Sequence, residues 1–364
     1  MKLHIFNPEH DIALASGLSN FTAPHAGRQL RHDLGFLPAI WAGDNDIVVV
    51  DDVELATRSW NRLKHKLSAM WKLEGRTKDE RETFQFLSVK QLAGKDITEI
   101  DPWGWDAALC AFLLRHGVLK ELMPTKEQLT EVRRLSHRRT AAQLLPQLRQ
   151  EGTIGEMFEC QAEEEIEALL RQYGQLVMKA PWSSSGRGLR FLSLERTPFS
   201  QHAGWFRNHV AAQECVMVEP FYRKIKDFGM EFYSDGKGHI DYLGLSLFHT
   251  ENGAYTGNIL ASEAVKTSML AHYVSPLLLE SIKISICNKL GAMFGQRYRG
   301  PLGIDMMIVT DATHRFLLHP CVEINLRRTM GHVALALSPH DNDIIQVMRI
   351  NYSDNAYQLT LSRL

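Results

Sequence analysis

Gly303-Ile304-Asp305-Met306-Met307 and, further on, Val322-Glu323-Ile324-Asn325-Leu326-Arg327-Arg328 decide how this chain is read. Two apolar runs flank a turn-forming stretch, Asp311–His314, so they read as the strands of one antiparallel hairpin. Side chains alternate along a strand: Glu323 and Asn325 share one face, Val322 and Ile324 the other. A turn centred on residue 313 puts residue 321 opposite residue 305, with Glu323 a diagonal neighbour within reach. Asp305, Glu323 and Asn325 then point the same way. Two carboxylates and an amide oxygen form a hard-oxygen set suited to Mg²⁺. Without a cation, two close carboxylates repel and one tends to keep its proton. Arg327 and Arg328 follow at once, placed to grip anionic oxygens in bidentate fashion. The plainer reading, a hairpin with surface acids, fits poorly with the apolar residues around Glu323.

Upstream, Val177-Met178-Lys179-Ala180-Pro181-Trp182-Ser183-Ser184-Ser185-Gly186-Arg187-Gly188-Leu189 reads as a strand ending in a lysine, then a small-residue loop. Gly186 and Gly188 let successive N–H groups turn toward an anion, and Lys179 supplies a point charge for a phosphate. The order is not that of a P-loop, nor of the dinucleotide GxGxxG. Alone, the segment reads equally well as a hairpin with a glycine turn and an exposed lysine. Glu214-Cys215-Val216-Met217-Val218-Glu219-Pro220, with Asp227 beyond it, is an apolar strand running out into a carboxylate. Its backbone could meet a base and its acids the hydroxyls of a ribose. Alone, it reads more simply as a buried strand ended by a solvated Glu.

Composition sets the frame. At 364 residues the length predicts two to three domains, with one large domain as the alternative. Lys and Arg number 41 against 42 Asp and Glu, a formal charge of -1, which excludes a whole-chain basic footprint for nucleic acid. Apolar residues at 45% and charged residues at 23% are those of an ordinary globular protein. The 5 cysteines are scattered without a CxxC pair, and the 16 histidines form no HExxH-like spacing, so neither a disulfide framework nor a transition-metal site is expected. Reduced thiols, a short apolar run at the start and no membrane-length apolar stretch predict a cytoplasmic location.

Organisation follows from punctuation and periodicity. Lys2–Phe6 reads as a first strand, stopped by Asn7-Pro8, and Ile47–Val50 as a buried parallel strand. Gly27–Leu34, Val53–Leu73 and Trp105–His116 read as helices, as do Lys126–Arg149, Ala162–Tyr173 and Pro276–Phe294. Leu176–Lys179, Leu189–Leu194, Cys215–Val218, Met230–Tyr233, Ile304–Val309 and Val322–Asn325 read as strands. The order is an α/β part, a helical segment, then an α+β part with antiparallel hairpins.

Together and in this order, the three motif segments resemble the ATP-grasp superfamily over roughly residues 130–335. The resemblance implies two α+β subdomains clasping ATP, preceded by a Rossmann-like α/β domain. The expected division is 1–125, then 126–215 with the phosphate loop, then 216–364 with the metal hairpin. It implies ATP and Mg²⁺ as cofactors, with Asp305, Glu323 and Asn325 as metal ligands. Lys179 matches the phosphate lysine, and Ser184, Ser185, Gly186, Arg187 and Gly188 the loop over the phosphates. Glu219 and Asp227 match the carboxylates that hold ribose or adenine. Arg327 falls where many members place an arginine on the reacting phosphate or carboxylate. A departure is the second phosphate lysine of many members, for which Arg138 stands in here, and the loop is richer in serine than in glycine. The implied activity is a carboxylate–amine ligase acting through an acyl phosphate. A phosphotransferase and a nucleotide-binding module without turnover are the alternatives. The implied partners are a small carboxylate and an amine, with no nucleic acid and no membrane, and a homodimer is left open as the assembly. His10, Asp11, Tyr255, Asn258 and His332 are candidates for substrate contacts only by lying in loops or near the hairpin.

Overall fold

The computed structural model describes residues 1–73, 84–183, 188–251 and 254–363. Strand β1 (Lys2–Ile5) leads into helices α1 (His10–Ser16) and α2 (His25–Leu34), strand β2 (Ile47–Val49) and helix α3 (Val53–Leu73). Strands β3 (Gln85–Leu87) and β4 (Glu99–Pro102) and helix α4 (Ala107–Arg115) complete this part. The strands pair in the order β3-β2-β1-β4, all parallel. All three residues of β2 are buried, as an apolar strand in a sheet covered by helices should be. The order reverses beside β1, because β4 docks on its free edge. Loops that leave such a reversal in opposite directions open a crevice at the carboxyl ends of the strands.

Helices α5 (Lys126–Leu135) and α6 (Arg139–Leu144) follow. The single helix expected over 126–149 is broken between them. His137 Nδ1 accepts the Arg139 N–H at 2.9 Å, so that donor is lost to a continuing helical ladder. Pro146, which has no N–H, then falls in a 3₁₀ turn, Leu145–Leu148. Strand β5 (Phe158–Cys160), helix α7 (Glu163–Tyr173), strands β6 (Gln175–Lys179) and β7 (Leu189–Ser193), helix α8 (Ala203–Gln213) and strand β8 (Val216–Pro220) build an antiparallel sheet ordered β5-β8-β6-β7.

The chain continues through β9 (Arg223–Asp235), β10 (Ile240–Ser246), β11 (Phe248–Glu251), β12 (Ala254–Leu260), α9 (Glu263–Ala271) and α10 (Pro276–Phe294). It ends with β13 (Arg299–Thr310), β14 (Phe316–Asn325), α11 (Met330–Leu337), β15 (Gln346–Ser353) and β16 (Ala356–Arg363). Sheet β10-β9-β13-β14 is backed by α10, whose Leu279, Ile282, Ile286, Leu290 and Phe294 bury one face at helical spacing. A further sheet, β11-β12-β15-β16, was not anticipated. Its last strand returns to the first part of the chain: Tyr357 N–H donates to the Asp33 carboxylate at 2.8 Å, and Phe6, Val48 and Trp103 share a core with Val333, Leu337 and Met348. No helix among the described residues is long and apolar enough to cross a membrane.

Candidate active site

In the β13–β14 hairpin, Asp305 lies directly opposite Glu323, and Gly303 opposite Asn325. This corrects the expected register, in which residue 321 faced 305. The distal part does turn about residue 313, with Thr310 opposite Phe316. A bulge then sets Pro320, Cys321 and Val322 against Met306 alone. Pro320 has no N–H to give the ladder, which makes this the natural place for the register to shift. The shift turns a diagonal pair of carboxylates into a direct one.

The neighbouring strand adds acids. Glu231 of β9 is opposite Gly303, and Asp227 is opposite Met307. Asp227, Glu231, Asp305, Glu323 and Asn325 therefore line one face of the sheet. Burial, then the charges of Glu323 and Glu231, push the Asp305 carboxyl up to about 8. Among the described residues no three His, Cys, Asp or Glu side chains are grouped to hold a metal. The candidate set is two carboxylates and the Asn325 amide oxygen. That donor chemistry, with a carboxyl pushed up by burial and by its neighbouring carboxylates, fits a hard divalent cation.

Lys179 ends β6. Val177 is opposite Glu219 on β8, so Lys179 is the diagonal neighbour of Glu219 on the same face. The two form a buried ion pair, Nζ to Oε1 at 2.6 Å. Burial raises the Glu219 carboxyl above its ordinary range, against the opposing pull of Lys179. The phosphate lysine and the ribose acid of the sequence reading are thus each other's partner.

Arg138, just before α6, joins the two halves of the site. Its Nη1 donates to the Ala180 carbonyl at 2.5 Å and Ser183 Oγ at 2.9 Å, and its Nη2 meets Glu323 Oε1 at 2.8 Å. Cys321, fully buried on β14, lies among these groups. Burial raises its thiol, and Glu219, Asp305 and Glu323 raise it further, against Lys179. At the foot of the loop, Gly188 O accepts the Ala180 N–H at 2.8 Å, and a Cβ on Gly188 would sit 2.5 Å from Ser183 Cβ. Ser184, Ser185, Gly186 and Arg187 lie outside the described residues. Asp227 is held by Lys224 Nζ at 2.5 Å and Thr250 Oγ1 at 2.6 Å.

Arg327 does not reach out alone. Its Nε and Nη2 clasp Asp11 of α1, at 2.9 and 2.7 Å, and Nη2 also donates to Asn325 Oδ1 at 3.0 Å. Burial alone would raise Asp11, but Arg327 holds it below the usual carboxylate range. Arg328 pairs with Asp101 of β4 at 2.7 Å, and Asp101 accepts from His4 at 3.0 Å. Both arginines of the motif therefore fasten the hairpin to the parallel-sheet part.

The remaining candidates fall into two buried clusters. His10 sits 3.4 Å from Asp106. Tyr255 bonds Asn258, which donates to Ser246 Oγ at 2.8 Å, and His332 lies 3.0 Å from Glu231. Sequence reading missed Glu231, although the signal was there: a lone acid inside the apolar run Gly229-Met230-Glu231-Phe232-Tyr233. Thr329 Oγ1 donates to Glu231 Oε2 at 2.9 Å and accepts from Gly331 N–H at 3.0 Å, at the start of α11. A Cβ on Gly331 would overlap Glu231 Oε1 and come within 2.6 Å of Ser246 Oγ. Gly331→Ala is expected to cost about 1–3 kcal/mol, read as a lower urea midpoint. An unchanged midpoint would mean that the carboxylate yields freely.

Two buried histidines are expected to make stability fall in mild acid. Neither ring nitrogen of His319 has a hydrogen-bond partner, and burial pushes the ring down to about 3. Burial pushes His137 down to about 4. The unfolded chain takes up both protons near 6.5, while the folded chain does so only near 3 and 4. The unfolded state thus binds more protons in between, and stability drops as pH falls from 6.5 toward 4. Each histidine contributes a slope of about 1.4 kcal/mol per pH unit. His319→Gln should flatten the urea-midpoint profile over this window. Identical profiles for variant and native protein would contradict the assignment.

No protein-family model matches the chain, and no curated protein does. Solved structures do match. Biotin carboxylase from Campylobacter jejuni, in complex with β-γ-ATP, is 12% identical over 98% of this chain and 77% of that one, at a TM-score of 0.53. The biotin carboxylase domain of Hydrogenobacter thermophilus 2-oxoglutarate carboxylase, with MgADP, ADP and bicarbonate, is 11% identical over 97% and 75%, at 0.52. N5-carboxyaminoimidazole synthetase from Staphylococcus aureus, with ADP, is 11% identical over 97% and 83%, at 0.49. At such identities the likeness is one of fold. With two antiparallel α+β sheets meeting at the hairpin and a Rossmann-like parallel sheet ahead of them, the chain has the ATP-grasp fold.

Proposed function

We propose that this protein is an ATP- and Mg²⁺-dependent ligase that joins a small carboxylate to an amine or similar nucleophile through an acyl phosphate, releasing ADP and phosphate. The observation that carries the reading is the direct Asp305–Glu323 pair beside Asn325, tied by Arg138 to the strand end that bears Lys179. The adenine nucleotides in the two carboxylase structures support ATP as the co-substrate.

Asp305, Glu323 and Asn325 would hold Mg²⁺. Bound there, the cation offsets charge developing on the phosphates. Lys179 and Arg138, with Ser184, Ser185, Gly186, Arg187 and Gly188 of the loop, bind the phosphate oxygens. Glu219 and Asp227 accept hydrogen bonds from the ribose or the adenine amino group, and the β8 backbone reads the base. Arg327, aimed by Asp11, stabilises the reacting carboxylate and phosphoryl oxygens. An oxygen of the substrate carboxylate attacks the γ-phosphorus and ADP leaves. The amine nitrogen then attacks the acyl carbon, phosphate leaves, and the amine gives up its proton. No nucleophilic side chain is needed, because positioning and electrostatics suffice. The division at 1–125, 126–215 and 216–364, and a cytoplasmic location, belong to the same reading.

Screening pairs of small acids and amines for ADP release tests it. The ligase reading expects ADP only when acid and amine are both present, with free phosphate in equal amount. Phosphate found on the acceptor instead would contradict it and make the protein a phosphotransferase.

A further inference from the structure

A cavity of about 200 Å³ opens at the carboxyl ends of the parallel strands. It lies at the β1/β4 reversal, the place where open α/β sheets take ligands. Most of its charges are already spoken for. Arg31 bridges Glu9 at 2.7 Å and Asp51 at 3.3 Å. Asp106 caps α4 through Leu109 N–H at 2.8 Å and accepts from Asn7 at 3.1 Å. What remains is specific. Glu9 is 8% exposed, lines the cavity, and its Oε2 meets no donor. Arg28 and Arg115 also line the cavity, and among the described residues neither guanidinium meets a carboxylate. Phe21 and Phe112 supply apolar wall.

A buried carboxylate oxygen without a donor costs free energy that an incoming N–H group would remove. Two guanidiniums without counter-ions suit an anion. The volume is below the roughly 300–1,000 Å³ of drug-sized sites, so the occupant is small. We propose that this crevice binds a small amine carrying a carboxylate or phosphate group, with the amine on Glu9 and the anion on Arg28 and Arg115. On the ligase reading, which this role rests on, the occupant is the nucleophile that meets the acyl phosphate. Glu9, which immediately precedes α1, is two positions from Asp11, the partner of Arg327. Burial raises the Glu9 carboxyl against the pull of Arg31.

Calorimetric titration without nucleotide or magnesium tests this. The probes are phosphoethanolamine and β-alanine, which carry both groups, beside ethanolamine, acetate and inorganic phosphate, which carry one. One of the first two should bind in the millimolar range or tighter, and which one does so identifies the anion. The single-group probes, and the Glu9→Gln and Arg115→Gln variants, should each bind about tenfold more weakly. Arg115 is exposed, so its variant folds even if Glu9→Gln does not. No binding of either double-group probe, equal binding of the single-group probes, or indifference to Arg115→Gln overturns the proposal. The two readings fail separately. Probe binding in a protein that never binds magnesium–ATP keeps the crevice and removes the ligase. Magnesium–ATP binding without probe binding removes the crevice alone.

Discussion

Lys179→Met is expected to destabilise the protein by about 3–5 kcal/mol, and adding Glu219→Leu should restore most of that loss. The lysine and the glutamate are 6% and 2% exposed and 2.6 Å apart. Removing the ammonium leaves a carboxylate in a site that already raises it. That carboxylate must then take a proton or stay charged without a partner, and both are costly near neutrality. The sign of the pH dependence follows. A carboxyl raised in the folded state is penalised more as pH rises, so the deficit of Lys179→Met should shrink between pH 7 and pH 5. Urea midpoints of the native protein, the single variant and the double variant at both pH values decide this. A double variant as weak as the single one would mean that the lysine stabilises by some other contact. On the functional side, Lys179 can reach a phosphate only by sharing its charge with Glu219. Nucleotide binding should therefore be lost in both variants, although one of them is stable.

Asp305→Asn should separate stability from activity in the opposite sense. In the metal-free protein it removes a carboxyl that burial, Glu323 and Glu231 all disfavour as an anion. Stability at pH 7 should stay level or rise, as it often does when a buried charge gives way to a neutral isostere. Turnover should fall about a thousandfold, the rate equivalent of about 4 kcal/mol of lost charge stabilisation. A variant that is less stable without metal, or one that keeps native turnover, would show that Asp305 is structural.

The chemistry-bearing hairpin was legible because strand alternation and turn residues are local signals. Asp311–His314 marks the turn, and the apolar residues around Glu323 mark a buried strand. The register was not legible, because the bulge at Pro320–Val322 depends on how β14 meets Met306 in space. The parallel strand Ile47–Val49 could be read for the same local reason, as three apolar β-branched residues between turn formers. Strands β15 and β16 could not. Met348 and Val347 are buried, but Arg349–Ser353 is mostly polar and open, so period-two patterning fades along the strand. What organises this pair is its pairing with β12 and its contact with α2, both remote in sequence.

Long-range partners were likewise hidden at the site. In the sequence Lys179 and Glu219 read as two separate binding groups, and only the β6–β8 register makes them a pair. Asp11, a loop residue in the sequence reading, lies in α1 and is clasped there by Arg327. Arg138 stands out in the sequence only by its place in the chain. Its bond to Glu323 joins the residue before α6 to β14, which is remote in sequence. In each case the residue type could be read from the sequence, and the contact could not.

The central claim is that Asp305, Glu323 and Asn325 complete a magnesium-dependent nucleotide site. Calorimetric titration with a non-hydrolysable ATP analogue, with and without Mg²⁺, tests it most directly, using the native protein beside an Asp305→Asn/Asn325→Ala variant. Binding that requires magnesium in the native protein and disappears in a folded variant is the expected result. No binding of the analogue by the native protein at millimolar concentration, or equal binding with and without the metal, would contradict it.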